Sequence, residues 1–187
     1  MDERAKKESI EPAEIYDFWL SAGPDKWFKK DPGFDREIKD RFGAIHEAAA
    51  RGERDHWQED AMGAMALVIL LDQFPRNMFR DTPRAFATDA KALAVADQAV
   101  ARGFDKALEL PQRRFLYMPF MHAEDSAMQQ RCIALCEASD DKEGLKYARI
   151  HAEIIERFGR FPHRNRVLGR ETTPEEQRFL DEGGFAG

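Results

Sequence analysis

The sequence predicts an all-α protein of antiparallel helical hairpins, either a tetratricopeptide-like α-α superhelix or a compact bundle, and two observations carry that prediction. Alanine occurs 26 times against 17 for Val, Ile and Thr combined, a balance that favours helix because Ala loses no side-chain entropy there while branched side chains are confined. Apolar residues recur at helical spacing, as in Leu93, Ala96, Val100 and Phe104, and again in Leu145, Ala148, Ala152 and Ile155. No convincing alternating run of the strand type is present. With 187 residues, 43% hydrophobic and 34% charged, the chain is long enough for a core without disulfide or metal staples. A single domain over residues 1–187 is expected, with 1–10 a poorly ordered tail.

Periodicity and punctuation place helices at 12–22, 34–51, 58–73, 88–102, 112–122, 125–138, 142–158 and 174–182. Gly23, Gly52 and Gly103 follow periodic segments where a left-handed residue ends a helix. Thr173-Pro174-Glu175-Glu176 reads as a capping box with Pro at the first helical position, and Asp140 three residues before Glu143 is a weaker version. The eleven residues Ala61 to Leu71 are the longest apolar run, too short to cross a bilayer and suited to a buried helix. Phe18, Trp19, Trp27, Phe28, Met62 and Met65 are expected in the core or in contacts within hairpins. Phe74-Pro75-Arg76-Asn77 is echoed by Phe161-Pro162-His163-Arg164-Asn165, two Pro-set corners each offering Arg and Asn just past a helix.

The formal net charge is -6, which argues against nucleic-acid binding over a broad basic face. No signal-peptide stretch follows the charged N-terminus, and no membrane association is expected. The two cysteines, Cys132 and Cys136, share a helical face as buried thiols and point to a reducing, cytoplasmic compartment. Glycine-rich phosphate loops, the G-x-S-x-G elbow and the H-E-x-x-H pair are all absent from the sequence, and no cofactor is expected.

Three segments carry candidate chemistry. In Leu70-Leu71-Asp72-Gln73-Phe74-Pro75-Arg76-Asn77 an apolar helix is expected to end before Pro75, leaving Asp72 where a helix terminus disfavours a carboxylate unless a cation compensates it. It serves either a ligand or an internal Arg. In Phe115 to Asp125, Pro119 should break or kink a helix near His122 and Glu124, a pair suited to proton transfer or metal binding, or else to capping and backbone hydrogen bonding. Between residues 149 and 170 six arginines stand against two glutamates, a focused positive region able to grip carboxylate or phosphate from ligand or protein. His151 falls on the apolar stripe there.

Together these segments resemble the bacterial family catalogued as domain of unknown function 924. The likeness extends from Ile15-Tyr16-Asp17-Phe18-Trp19 to Leu168-Gly169-Arg170-Glu171-Thr172-Thr173-Pro174-Glu175-Glu176. It implies a tetratricopeptide-like helical domain and no assigned activity. Two functional readings follow from the residues. In one, Asp72, Gln73, Arg76 and Asn77 join His122, Glu124, His151, Arg157, Arg160, His163, Arg164 and Asn165 in a pocket for an anionic small molecule, with an enzymatic version using His122 or His163 as acid or base. In the other, the chain is an interaction scaffold for a peptide or protein, and the motifs are internal ion pairs at hairpin corners. A metal site at His122, Glu124 and His151 is a third arrangement of the same residues.

Overall fold

A computed structural model describes residues 10–27, 29–110 and 112–185. The expectation for the 1–10 tail therefore falls almost wholly outside the described residues, as does Phe28. The protein is all-α, with no strand among the described residues. Among the described residues the helices are, in order, α1 (Pro12–Ala22), α2 (Pro24–Trp27), α3 (Pro32–Ala50), α4 (Ala61–Val68), α5 (Phe74–Met78), α6 (Asp89–Ala101), α7 (Gln112–His122), α8 (Ser126–Ala138), α9 (Lys142–Phe158) and α10 (Pro174–Asp181). Contacts group them into two compact units. The first runs to Arg80 and takes in Arg84–Pro119; the second comprises Asp81–Pro83 and the chain from Phe120 onward.

In the first unit α1 packs on α4, α3 on α5, and α4 on α6. Its core is aromatic: Phe18, Trp19, Phe34, Phe42, Phe74 and Phe115 stack or meet edge-on at 4.9–6.2 Å. Such ring pairs add roughly 0.5–1.5 kcal/mol beyond the burial of their area. Met65 belongs to this core, but Met62 is 45% exposed, because it points away from the face that α4 buries. On α6 the buried stripe is Ala92, Val95, Ala96 and Ala99, shifted from the predicted one, so that small residues face the neighbouring α4 closely.

The expected helix end before Pro75 is not there. Pro75 lacks an N–H and has no bond to give the preceding turn; the helix widens into a π turn at Ile69–Gln73, where the Phe74 N–H reaches the Ile69 carbonyl, and resumes as α5. Side chains collect the carbonyls this frees. His46 Nδ1 lies 2.9 Å from the Leu70 oxygen, Thr88 Oγ1 donates to the Leu71 oxygen at 2.5 Å, and Arg76 Nη1 donates to the Asp72 oxygen. A carbonyl only accepts, so His46 carries its proton on Nδ1. Pro119 likewise sits inside α7 without ending it. Only the second of the two Pro-set corners is a corner, a 3₁₀ turn at Pro162–Arg164.

In the second unit α8 and α9 form a tight hairpin. Asp125 caps α8 by accepting from the Met128 N–H at 3.0 Å. The cap of α9 is Asp141, which accepts from the Gly144 N–H at 2.9 Å. Asp140, expected in that role, instead takes a left-handed φ of 52° and ends α8. Gln129 Nε2 donates to the Met121 and Ala123 carbonyls, both at 2.7 Å, closing the end of α7. Cys132 and Cys136 are buried thiols not joined in a disulfide. The apolar centre consists of Ile154, Ile155 and Phe161, with Ile150, Phe158, Phe179 and Phe185 packed against it.

The capping box of α10 is formed as the sequence predicts: Thr173 Oγ1 accepts from the Glu176 N–H, and Glu176 accepts from the Thr173 N–H. Its far end is a Schellman closure in which Gly183 N–H bonds to the Leu180 carbonyl at 3.1 Å and Gly184 N–H to the Phe179 carbonyl at 2.9 Å. Gly183 has φ 80°. A Cβ on Gly184 would stand 2.5 Å from the Phe179 ring, so both glycines are required to turn the chain back and lay Phe185 against α9.

Candidate functional site

The twelve candidate residues divide between the units. Asp72, Gln73, Arg76 and Asn77 belong to the first, where the π turn and α5 carry them. Asp72 is fully buried, and Arg76 Nη1 lies 3.2 Å from its Oδ1. The same guanidinium makes a bidentate contact of 3.1 Å on each arm to Asp89, an arrangement that the planar fork of Arg suits. Gln73 Nε2 donates to Asp72 Oδ2 at 2.5 Å and contacts Met118 Sδ at 3.2 Å. Asn77 Nδ2 donates to Asp35 Oδ1 at 2.8 Å, and Asp35 also receives Arg80 Nε at 2.6 Å. Asp72 is thus not a carboxylate stranded at a helix end; it lies within a helix and is compensated four residues on.

The other eight belong to the second unit. Glu124 accepts both arms of Arg170, at 2.6 and 2.9 Å, and the Phe161 N–H at 2.8 Å. Burial opposes its ionisation, yet the Arg170 guanidinium and the Phe161 N–H outweigh that and hold the carboxyl below the ordinary glutamate range. Arg160 grips Glu176 through Nε–Oε1 at 2.6 Å and Nη2–Oε2 at 2.9 Å. Asn165 Nδ2 adds a third bond to Glu176 at 3.2 Å. The Arg160 bonds, which exceed the opposing effect of burial, together with the Thr173 N–H and Asn165 bring the Glu176 pKa down to about 2. Arg157 pairs with Glu175 at 3.0 Å, and the Arg164 guanidinium stacks 4.6 Å over the Phe161 ring.

The three histidines gather around one another and two phenylalanines. His151 lies 6.3 Å from His122, 5.5 Å from Phe161 and 4.5 Å from Phe185 by ring centroids, with its Nδ1 2.8 Å from the Tyr147 carbonyl. His163 lies 5.7 Å from Phe161 and 6.0 Å from Phe185. Its Nδ1 is buried with no hydrogen-bond partner among the described residues. Burial, then the charge of Arg164, pushes the His163 pKa down to about 3. No metal-binding group of three or more His, Cys, Asp or Glu is found among the described residues, and Glu124, the carboxylate of the conceivable triad, is turned to Arg170.

Beyond Asp72 and Glu124, the acids that answer these arginines and Asn77, namely Asp35, Asp89, Glu175 and Glu176, are not among the candidates. Asp35, Asp89 and Arg80 carry no local signal, since each partners a residue at least 13 positions away. Glu176 did carry one, but as a capping residue, which accounts for only part of what its carboxylate does. The surplus of positive charge between 149 and 170 is balanced by Glu124 upstream, by Glu175 and Glu176 downstream, and by Asp81, which accepts from Arg166 at 3.1 Å.

Helices held by partly buried Arg–carboxylate pairs, with no membrane-spanning helix among the described residues, define the class: an all-α helical protein with internal charged ties. The chain belongs to the family described as bacterial protein of unknown function (DUF924), whose model matches residues 15–184. It is similar to a solved protein of unknown function, ATU0120 from Agrobacterium tumefaciens, at 53% identity and a TM-score of 0.89, covering 92% of this chain and 97% of that one. No curated protein matches the sequence.

Proposed function

We propose that the chain is an interaction protein that receives a short peptide segment in an apolar groove along α9. The observation that carries this reading is the occupation of the motif arginines by the protein's own carboxylates. A small anion would have to displace Glu176 from Arg160 or Glu124 from Arg170, each a bidentate pair. The groove lies elsewhere on the second unit, lined by Ile150, Ile154, Phe158, Phe179 and Phe185, with Glu153 and Arg157 at its edge. Its volume of about 190 Å³ is below the roughly 300–1,000 Å³ of small-molecule sites and suits one or two inserted side chains. Arg157 lies 4.7 Å over the Phe158 ring and 5.8 Å over Phe179, and the α9 stripe runs on to Tyr147, which is 41% exposed.

The occupant is an apolar, aromatic-bearing segment, the chemistry of Phe185, which already forms one wall. Titration of a peptide of residues 182–187 into Phe185→Ala protein, followed by methyl NMR, tests this. Saturable shifts at Ile150 and Ile154 that vanish when the peptide's Phe is replaced by Ala are expected. Shifts absent from α9, or present equally with the Ala peptide, overturn the reading.

A further inference from the structure

We propose that Gly183–Phe185 is a strap over the inner end of this groove, closed at neutral pH and released on acidification through His163; the proposal rests on the groove reading above. The geometry has three parts. The Schellman closure at Gly183 and Gly184 turns the chain back on Phe179. Phe185 then lies with its ring 4.5 Å from His151 and 6.0 Å from His163. The His163 Nδ1 is itself buried with no partner among the described residues.

A buried imidazole that gains a proton needs water or an acceptor at that nitrogen. The charged and titratable groups around it are set against the proton. His122 comes from α7, His151 from α9 and Arg164 from the same turn, each opposing a positive charge on His163, while Glu124 is the facing acid and is already gripped by Arg170. From α10, Glu176 is committed to Arg160 and Asn165, and at the groove edge Arg157 is paired with Glu175. Of the two rings beside His163, Phe161 belongs to the buried apolar centre while Phe185 is only partly buried against it, so hydration of Nδ1 comes most readily by moving Phe185.

The sign follows by linkage. The strapped state, with its His163 pKa of about 3, excludes a proton that an exposed imidazole accepts near pH 6.5. Closure is fully favoured above about pH 6.5, and its equilibrium constant falls by up to about tenfold per unit as the pH drops below that. Release exposes the Phe161, His151 and His163 floor and lengthens the groove, so that peptide binding strengthens as the strap leaves.

The test is the backbone ¹⁵N heteronuclear NOE of Gly184 and Phe185 in the intact protein between pH 7.5 and pH 5. Both residues are expected to be ordered at pH 7.5 and to lose order toward pH 5 while α8 and α9 amides stay unchanged. His163→Phe, with His163→Leu as the second variant, should stay strapped at pH 5. Phe185 equally ordered at both pH values, mobile at both, or released as before in the two variants overturns the strap. This readout contains no peptide, so a failed strap with successful binding to Phe185→Ala leaves the groove standing, and the converse result removes the groove alone.

Discussion

Arg160 and Glu176 face each other in a two-pronged pair, Nε to Oε1 at 2.6 Å and Nη2 to Oε2 at 2.9 Å, and the same carboxylate closes the N-terminus of α10 by accepting from the Thr173 N–H at 2.7 Å. One acid thereby ties the turn after α9 to the start of the next helix. Glu176→Gln keeps the size and loses the charge, so it should lower the unfolding midpoint. Arg160→Ala combined with Glu176→Gln should cost less than the sum of the two, since both changes break one pair. Additive effects in a denaturant double-mutant cycle would show that the pair is not coupled.

The pH dependence follows from the same carboxylate. Its pKa is about 2 in the folded protein against roughly 4.3 unfolded, so the folded state binds fewer protons in between. Its stabilisation is complete above the unfolded value and is lost as pH falls toward 2. Wild type should lose stability between pH 5 and 2.5 more steeply than Glu176→Gln, as read by urea midpoints at each pH; parallel curves would contradict this.

The buried tie in the first unit should be the more costly to break. Arg76→Ala leaves Asp72, which is wholly buried, without its cation, and such a stranded charge costs about 3–5 kcal/mol. Asp72→Asn in the same background should recover part of that loss by removing the stranded charge. No recovery in chemical denaturation would mean that Arg76 acts through its contact with Asp89 alone.

Thr88→Val tests the π turn. It removes the hydroxyl that satisfies the Leu71 carbonyl while preserving shape, so an orphaned buried acceptor should cost about 1–3 kcal/mol. A loss within a few tenths of a kcal/mol would show that water replaces the hydroxyl.

Much of the helical framework was legible because its signals are local. Apolar spacing, Gly at helix ends and the Thr173 capping box each act within a few residues, and the predicted segments 12–22, 112–122 and 142–158 coincide with α1, α7 and α9. The prolines misled. Pro75 was read by what it removes, an N–H, whereas His46 and Thr88, distant in sequence, supply the missing bonds and let the helix continue. The arginine cluster was legible as chemistry but not as role, because a guanidinium set to bind a ligand carboxylate and one bound to Glu124 read alike in sequence. Phe185 gave no signal, since its place depends on a backbone turn at Gly183 and Gly184 and on rings from α9 and the Phe161–Asn165 turn.

The most direct measurement of the central claim, that the motif arginines hold the fold and leave recognition to the groove, is the arginine Nε–Hε NMR spectrum during titration with inorganic phosphate and a small dicarboxylate. The account predicts that the Arg160 and Arg170 signals stay in place at millimolar anion, because Glu176 and Glu124 already fill their hydrogen bonds. Saturable movement of those two signals together would contradict it and restore the anion pocket as the working site.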